Sequence, residues 1–162
     1  MTGRFRVALI VLSDRAARGE RADACIPAMR EALGEVYEIV RAVVMEDDPS
    51  ALQAELIDLA DTHAADLILT SGGTGLAPRD RTPQATAAIL DYEVPGIAEV
   101  IRSESTQIVR SAMLSRSLAG VRHRTLIINL PGSPKAVSES IHIVLSVLPH
   151  ALELLTGNVV DG

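Results

Sequence analysis

Three short apolar runs constrain this chain more than any other feature: RVALIVLS (6–13), DLILTS (66–71) and TLIINL (125–130). A strand with one wetted face alternates apolar and polar residues. A near-continuous run rich in Val, Ile and Leu suits a strand covered on both faces, as in a parallel sheet. Between these runs the period changes. ADACIPAMREALG (22–34) places Ile26, Met29 and Leu33 at helical spacing, with Gly34 as a stop. VYEIVRAVV (36–44) alternates and reads as a further strand. DPSALQAELIDLADTHAA (48–65) reads as a helix with Leu52, Leu56 and Leu59 or Ala60 on one side. Beyond a glycine-rich turn, TPQATAAILDY (82–92) and PGIAEVIRSESTQIV (95–109) read as two helices broken at Pro95-Gly96. SRSLAGVRHRTLIINL (115–130) reads as a hairpin arm leading into the last buried strand. A single C-terminal helix is expected from Ser133-Pro134 through Val137, Ile141, Val144 and Leu148 to Leu155, ended by Gly157.

This alternation predicts an α/β fold: three layers, a mostly parallel sheet with helices on both faces, and an antiparallel arm. At 162 residues, with no linker, repeat or low-complexity tract, one domain over 1–162 is expected. The opening MTGRFRVALIVLSDR reads as a first strand rather than a signal peptide. No apolar run reaches the length that spans a bilayer, so no membrane partner is expected. A net charge of −6 and 2% aromatic residues argue against a nucleic-acid binder. Cys25 is the only cysteine, which excludes an intrachain disulfide and a cysteine-based zinc site. His63, His123, His142 and His150 lack metal-site spacing on a helix face. A cytoplasmic location is the simplest expectation.

In open α/β sheets ligands bind beyond the carboxyl ends of the strands. Those ends read Ser13-Asp14-Arg15, Thr70-Ser71-Gly72-Gly73-Thr74-Gly75, and Asn129-Leu130-Pro131-Gly132-Ser133-Pro134-Lys135. All are small or polar, and the helix starts beyond them offer N–H groups to an anion. Asp48-Pro49, Thr82-Pro83 and Ser133-Pro134 each pair a capping residue with a proline at the first helical position. With Asp48 as one cap and Thr82 as another, Asp47 and Asp80 are left free of capping duty on the same rim. Two carboxylates beside a phosphate site suit magnesium. Lys135, the only lysine, stands in a first helical turn where it opposes the macrodipole, which points to an anion nearby.

Each feature also has a plainer reading. The glycines alone could make a tight turn: neither a Walker A lysine nor the G-x-G-x-x-G spacing is present. Asp47 and Asp80 taken singly could be solvated loop acids. Arg79 and Arg81 could be surface pairs of little consequence. Cys25 reads as a core residue.

TSGGTGLAPRDRTPQAT, together with LSDRAARGE, AMLSRSLAG and LPGSPKAV in the same order, resembles the molybdenum-cofactor biosynthesis family that includes MogA, MoaB and the gephyrin G domain. The resemblance runs from about residue 6 to residue 156. It implies a sheet flanked by helices, a homotrimer, and molybdopterin adenylyltransferase activity, in which the terminal phosphate of molybdopterin attacks the α-phosphorus of ATP with magnesium present. It also implies contact with the molybdenum insertase that consumes the product. By resemblance the essential aspartates fall on Asp47 and Asp80, as catalytic and magnesium-holding residues, with Glu46 and Asp48 one position either side of the first. Nucleotide and phosphate contacts fall on Ser71, Gly72, Gly73, Thr74, Gly75, Pro131, Gly132, Ser133 and Lys135. Substrate contacts are expected at Ser13, Asp14, Arg15, Ser105, Ser115 and Asn129. Arg81 and Ala98 depart from the family's common residues beside these motifs. The alternatives are a catalytically silent pterin-binding member and a generic nucleotide-binding α/β protein.

Overall fold

The computed structural model describes residues 4–157; the ends of the expected 1–162 domain lie outside the described residues. Strands β1 (Phe5–Leu12), β2 (Tyr37–Met45), β3 (Leu67–Ser71), β4 (Tyr92–Glu93), β5 (Ala119–Arg122) and β6 (Thr125–Leu130) form one sheet in the order β2-β1-β3-β6-β5-β4. The first four in that order are parallel, whereas β5 and β4 form the antiparallel arm.

The apolar runs sort themselves by parity, because successive side chains of a strand point to opposite faces. Val7, Leu9 and Val11 of β1, with Leu126, Ile128 and Leu130 of β6, join one core. That core packs on α2 (Cys25–Leu33), α5 (Pro95–Ile108), α6 (Pro134–Val144) and α7 (Leu148–Thr156). Ala8, Ile10, Leu12, Ile68 and Ile127 face the other way, against Leu52, Leu56 and Leu59 of α3 (Pro49–Asp61) and Ala85 of α4 (Thr82–Ala87). The three expected layers are therefore present. The single-turn α1 (Asp14–Ala17) follows β1 directly, and a 3₁₀ segment (Arg110–Leu114) follows α5.

Several element boundaries differ from the sequence expectation. The C-terminal helix is two helices, because Pro149 has no N–H to give the carbonyl of Leu145 and its ring would crowd that carbonyl. Residues 82–92 hold only a six-residue helix, after which Tyr92–Glu93 pairs with β5. The helix after Asp48 ends at Asp61, and His63 turns the chain with φ +55°.

Strand registers bring the rim level: Val11 pairs with Ser71, and Ser71 with Leu130. Gly72 sits where these ends meet. Its φ is +103°, its N–H bonds the Leu130 carbonyl at 3.0 Å, and a β-carbon there would collide with the Leu12 carbonyl oxygen. A β-carbon on Gly132 would lie 3.3 Å from the Gly72 Cα, so the last loop closes onto the same glycine.

Candidate active site

Asp48 is the N-cap of α3: its Oδ1 accepts from the N–H groups of Ser50 (3.0 Å) and Ala51 (3.2 Å), with Pro49 next in line. Ser133 caps α6 by accepting from Ala136 N–H at 3.1 Å. Thr82 does not cap α4. The Ala85 N–H bonds the Arg81 carbonyl (3.0 Å), which makes Arg81 the cap residue and puts Thr82 inside the helix, buried, with its own N–H on the Gly73 carbonyl at 3.1 Å. Asp80 is accordingly not free for the reason its sequence position suggests. Its Oδ2 accepts from Ala77 N–H at 3.0 Å, and its N–H bonds the Ala77 carbonyl at 2.9 Å, so residues 77–80 close on themselves.

Asp47 and Asp80 nonetheless line one cavity of about 520 Å³, together with Ser13, Asp14, Arg15, Gly72, Gly73, Gly132 and Ser133. The glycines make room for the carboxylates. A β-carbon on Gly73 would meet the Thr82 hydroxyl and lie 3.3 Å from Asp47 Oδ1; one on Gly75 would lie 2.9 Å from Asp80 Oδ2. The N–H groups of Gly73, Thr74 and Gly75 donate to no acceptor among the described residues. Such N–H groups suit an anion.

The electrostatics separate three neighbouring acids. Burial, and then the charge of Asp14, push the Asp47 carboxyl above its usual range; Asp80 adds to this. Asp14 moves the other way: the Arg79 guanidinium bonded to it, with the Asp47 N–H, holds it at about 2. Arg79 reaches both Asp14 oxygens (2.5 and 2.9 Å) and the Asp47 carbonyl (3.3 Å), while Asp14 Oδ1 accepts the Asp47 N–H at 2.9 Å. Asp14 is thus a strut under Asp47, and Arg79 ties the loop at 75–80 to it.

Thr74 and Gly75 turn away from the first cavity and line a second, of about 400 Å³, with Ser105, Ser115, Pro131 and Ser133. Ser133 borders both cavities. Three expected contacts fall elsewhere. Ser71 is buried, donating its hydroxyl to the Pro131 carbonyl at 2.8 Å. Asn129 is buried among Thr70 and Thr86, donating to their hydroxyls at 3.0 and 3.1 Å, and lines neither cavity. Lys135 is 81% exposed, lies 3.7 Å from Glu139 one turn on, and also lines neither cavity. Satisfied polar partners explain Asn129. The i,i+4 acid explains Lys135, because it meets the charge on the helix's own surface.

Two arginines escaped the sequence reading. Arg116 bonds the carbonyls of Gly75 (2.9 Å) and Asp80 (2.5 Å), and its N–H bonds Thr74 O at 2.9 Å. Arg102 bonds the carbonyls of Ser115 (2.8 Å) and Ser117 (2.7 Å). One guanidinium fixes the glycine loop and the other the edge of the second cavity. Arg116 stands inside the AMLSRSLAG motif, but its partners lie 41 and 36 residues away in the chain, so its neighbours do not state its role.

Residues 8–150 match the family described as a probable molybdopterin binding domain. The chain belongs to this family. Molybdopterin adenylyltransferase from Helicobacter pylori J99 is 38% identical to this chain, covering 95% of this chain and 89% of that protein. The Escherichia coli K12 protein of the same name is 36% identical, covering 97% and 88%. The crystal structure of the molybdopterin biosynthesis enzyme MoaB from Thermus thermophilus superposes with a TM-score of 0.89 at 52% identity, covering 94% of this chain and 97% of that one. Among the described residues, no cluster of three or more His, Cys, Asp or Glu side chains is arranged to hold a metal. Asp47 and Asp80 are a two-carboxylate set of hard oxygen donors in one cavity, which fits a magnesium ion that completes its shell with substrate phosphates and water.

Proposed function

We propose that this chain is a molybdopterin adenylyltransferase, moving AMP from ATP to the terminal phosphate of molybdopterin and releasing pyrophosphate. The carrying observation is the convergence of Asp47 and Asp80 behind Gly73 and Gly75 in one cavity at the carboxyl ends of parallel strands. A second cavity shares Ser133 with the first. Two substrates can therefore meet along the 72–75 and 131–133 loops. In this reading the triphosphate lies in the first cavity, against the open N–H of Gly73, and the pterin lies in the second, which Thr74 and Gly75 line.

Attack by a phosphate on phosphorus needs position and charge neutralisation more than a protein nucleophile. Gly72 and Gly73 let the phosphates approach the backbone of the first cavity, and Arg116 holds the Gly75 end of the turn in place. Asp14 and Arg79 fix the peptide that carries Asp47. Asp47 and Asp80 would hold magnesium, which when bound neutralises phosphate charge. On the same reading the protein works in the cytoplasm as a homotrimer and passes its product to the molybdenum insertase. Ile108, Val109, Met113 and Leu114 are exposed apolar side chains that a second copy would cover, and Val109 and Leu114 also line the second cavity.

The test is pyrophosphate release from ATP with molybdopterin and magnesium. Turnover is expected with the wild-type chain and at least about 100-fold less with Asp80→Asn. Failure of a folded, pterin-binding wild-type chain to release pyrophosphate overturns the proposal.

A further inference from the structure

At the opposite end of the sheet, where the parallel strands begin, lies a cavity of about 370 Å³ that the proposed reaction does not use. Five chain segments meet there: the start of β1 (Arg4, Phe5, Arg6), the turn after α3 (His63), the entry to β3 (Ala65, Asp66), the β5–β6 turn (Arg124, Thr125) and the end of α7 (Thr156). The floor is rigid. Asp66 N–H bonds the Arg6 carbonyl at 2.8 Å, Leu126 N–H bonds the Asp66 carbonyl at 3.0 Å, and the Thr125 hydroxyl bonds the Ala65 carbonyl at 2.8 Å.

Its charge runs against that of the chain. Net charge is −6, yet three arginines line this cavity with one carboxylic acid, Asp66. Arg6 consumes that carboxylate, through its N–H (2.8 Å) and its Nη2 (3.1 Å) on Asp66. Arg4 and Arg124 have no acidic partner among the described residues, and they approach from separate segments. Arg4 and Arg124 both line the one hollow, and a guanidinium can bond the oxygens of a phosphate bidentately. The volume lies within the range of small-ligand sites. Phe5, the only phenylalanine, also lines the cavity while packing on the core.

We infer that this cavity is a second anion site, which takes a phosphate-bearing ligand through Arg4 and Arg124. It lies at the far end of the sheet from Asp47 and Asp80 and stands independently of the adenylyl-transfer reading.

The test follows backbone amide shifts of the ¹⁵N-labelled full chain during titration with inorganic pyrophosphate, without magnesium. Saturable shifts are expected at Phe5, Ala65 and Thr125, separate from any at Gly72 to Gly75. Replacing Arg4→Gln and Arg124→Gln together should weaken the first set at least about tenfold and leave the glycine-turn set and pyrophosphate release from ATP unchanged. A parallel titration with AMP separates the two sources of phosphate: tighter binding with a larger Phe5 shift assigns a nucleotide, and equal or weaker binding assigns the free anion. The inference is overturned by the absence of a saturable set at the strand starts, by a set that survives the double substitution, or by the same shifts in sodium chloride at equal ionic strength.

Discussion

Gly73→Ala is the sharpest probe of how the site is built. Gly73 has φ +70°, and a methyl group there would strike the Thr82 hydroxyl and press on Asp47 Oδ1 at 3.3 Å. Left-handed backbone costs a residue with a β-carbon about 1–2 kcal/mol, and overpacking adds about 1–3 kcal/mol. The expected destabilisation is therefore about 2–5 kcal/mol. Gly19 isolates the first contribution, since its φ is +75° with nothing within 4 Å of its β-carbon position. Gly19→Ala should cost about 1–2 kcal/mol and leave turnover intact. Gly96 has neither constraint, so Gly96→Ala in α5 should be neutral or stabilising by up to about 1 kcal/mol. Adding Thr82→Ala to Gly73→Ala removes the struck hydroxyl, and should recover about 1–2 kcal/mol beyond additivity. Because the same methyl displaces a carboxylate of the site, pyrophosphate release should fall about 100-fold. Denaturant unfolding and the release assay on these variants decide the matter. If Gly73→Ala costs no more than Gly19→Ala and keeps its rate, the steric account of the glycine turn is wrong.

Gly75→Ala should show the opposite balance, with little loss of stability but about 100-fold lower turnover, because its methyl meets only the tip of Asp80 at 2.9 Å; unfolding and rate measured together check this. The raised Asp47 group favours its protonated form in the folded state, so its contribution to stability is present at low pH and lost as pH rises through its folded pKa. Asp47→Asn should thus stabilise the magnesium-free protein at pH 7, measured by denaturant unfolding, while abolishing turnover. Asp14 has the reverse sign: its carboxyl falls from 3.8 to about 2 on folding, so Asp14→Asn should remove the acid destabilisation between about pH 4 and pH 2, measured by unfolding at stepped pH. Arg116→Met should loosen the glycine loop, raising hydrogen exchange at Gly75 to Asp80 and lowering turnover about tenfold or more, with partial rescue by Arg116→Lys.

What the sequence determined by itself is local. Near-continuous apolar runs marked the buried parallel strands because a strand covered on both faces has no wet side to encode. Asp48-Pro49 and Ser133-Pro134 marked true helix starts because a cap is satisfied within three residues. Thr82-Pro83 misled by one residue: the same dipeptide fits inside a helix once a neighbour's carbonyl takes the cap's place, and the Thr82 N–H is drawn to the Gly73 carbonyl. The family motifs pointed to Asp47 and Asp80, but their meeting is a tertiary fact. It depends on the register that levels Val11, Ser71 and Leu130, and on glycines whose missing β-carbons leave space for carboxylates from other segments. Side-chain reach was decided there too. Lys135 found an acid on its own helix, Asn129 found hydroxyls in the core, and Arg79 and Arg116 spanned the site to carbonyls and a carboxylate far away in the chain. A guanidinium commits to whichever oxygens the folded chain brings within its length, and no pattern of neighbours in sequence states which those are.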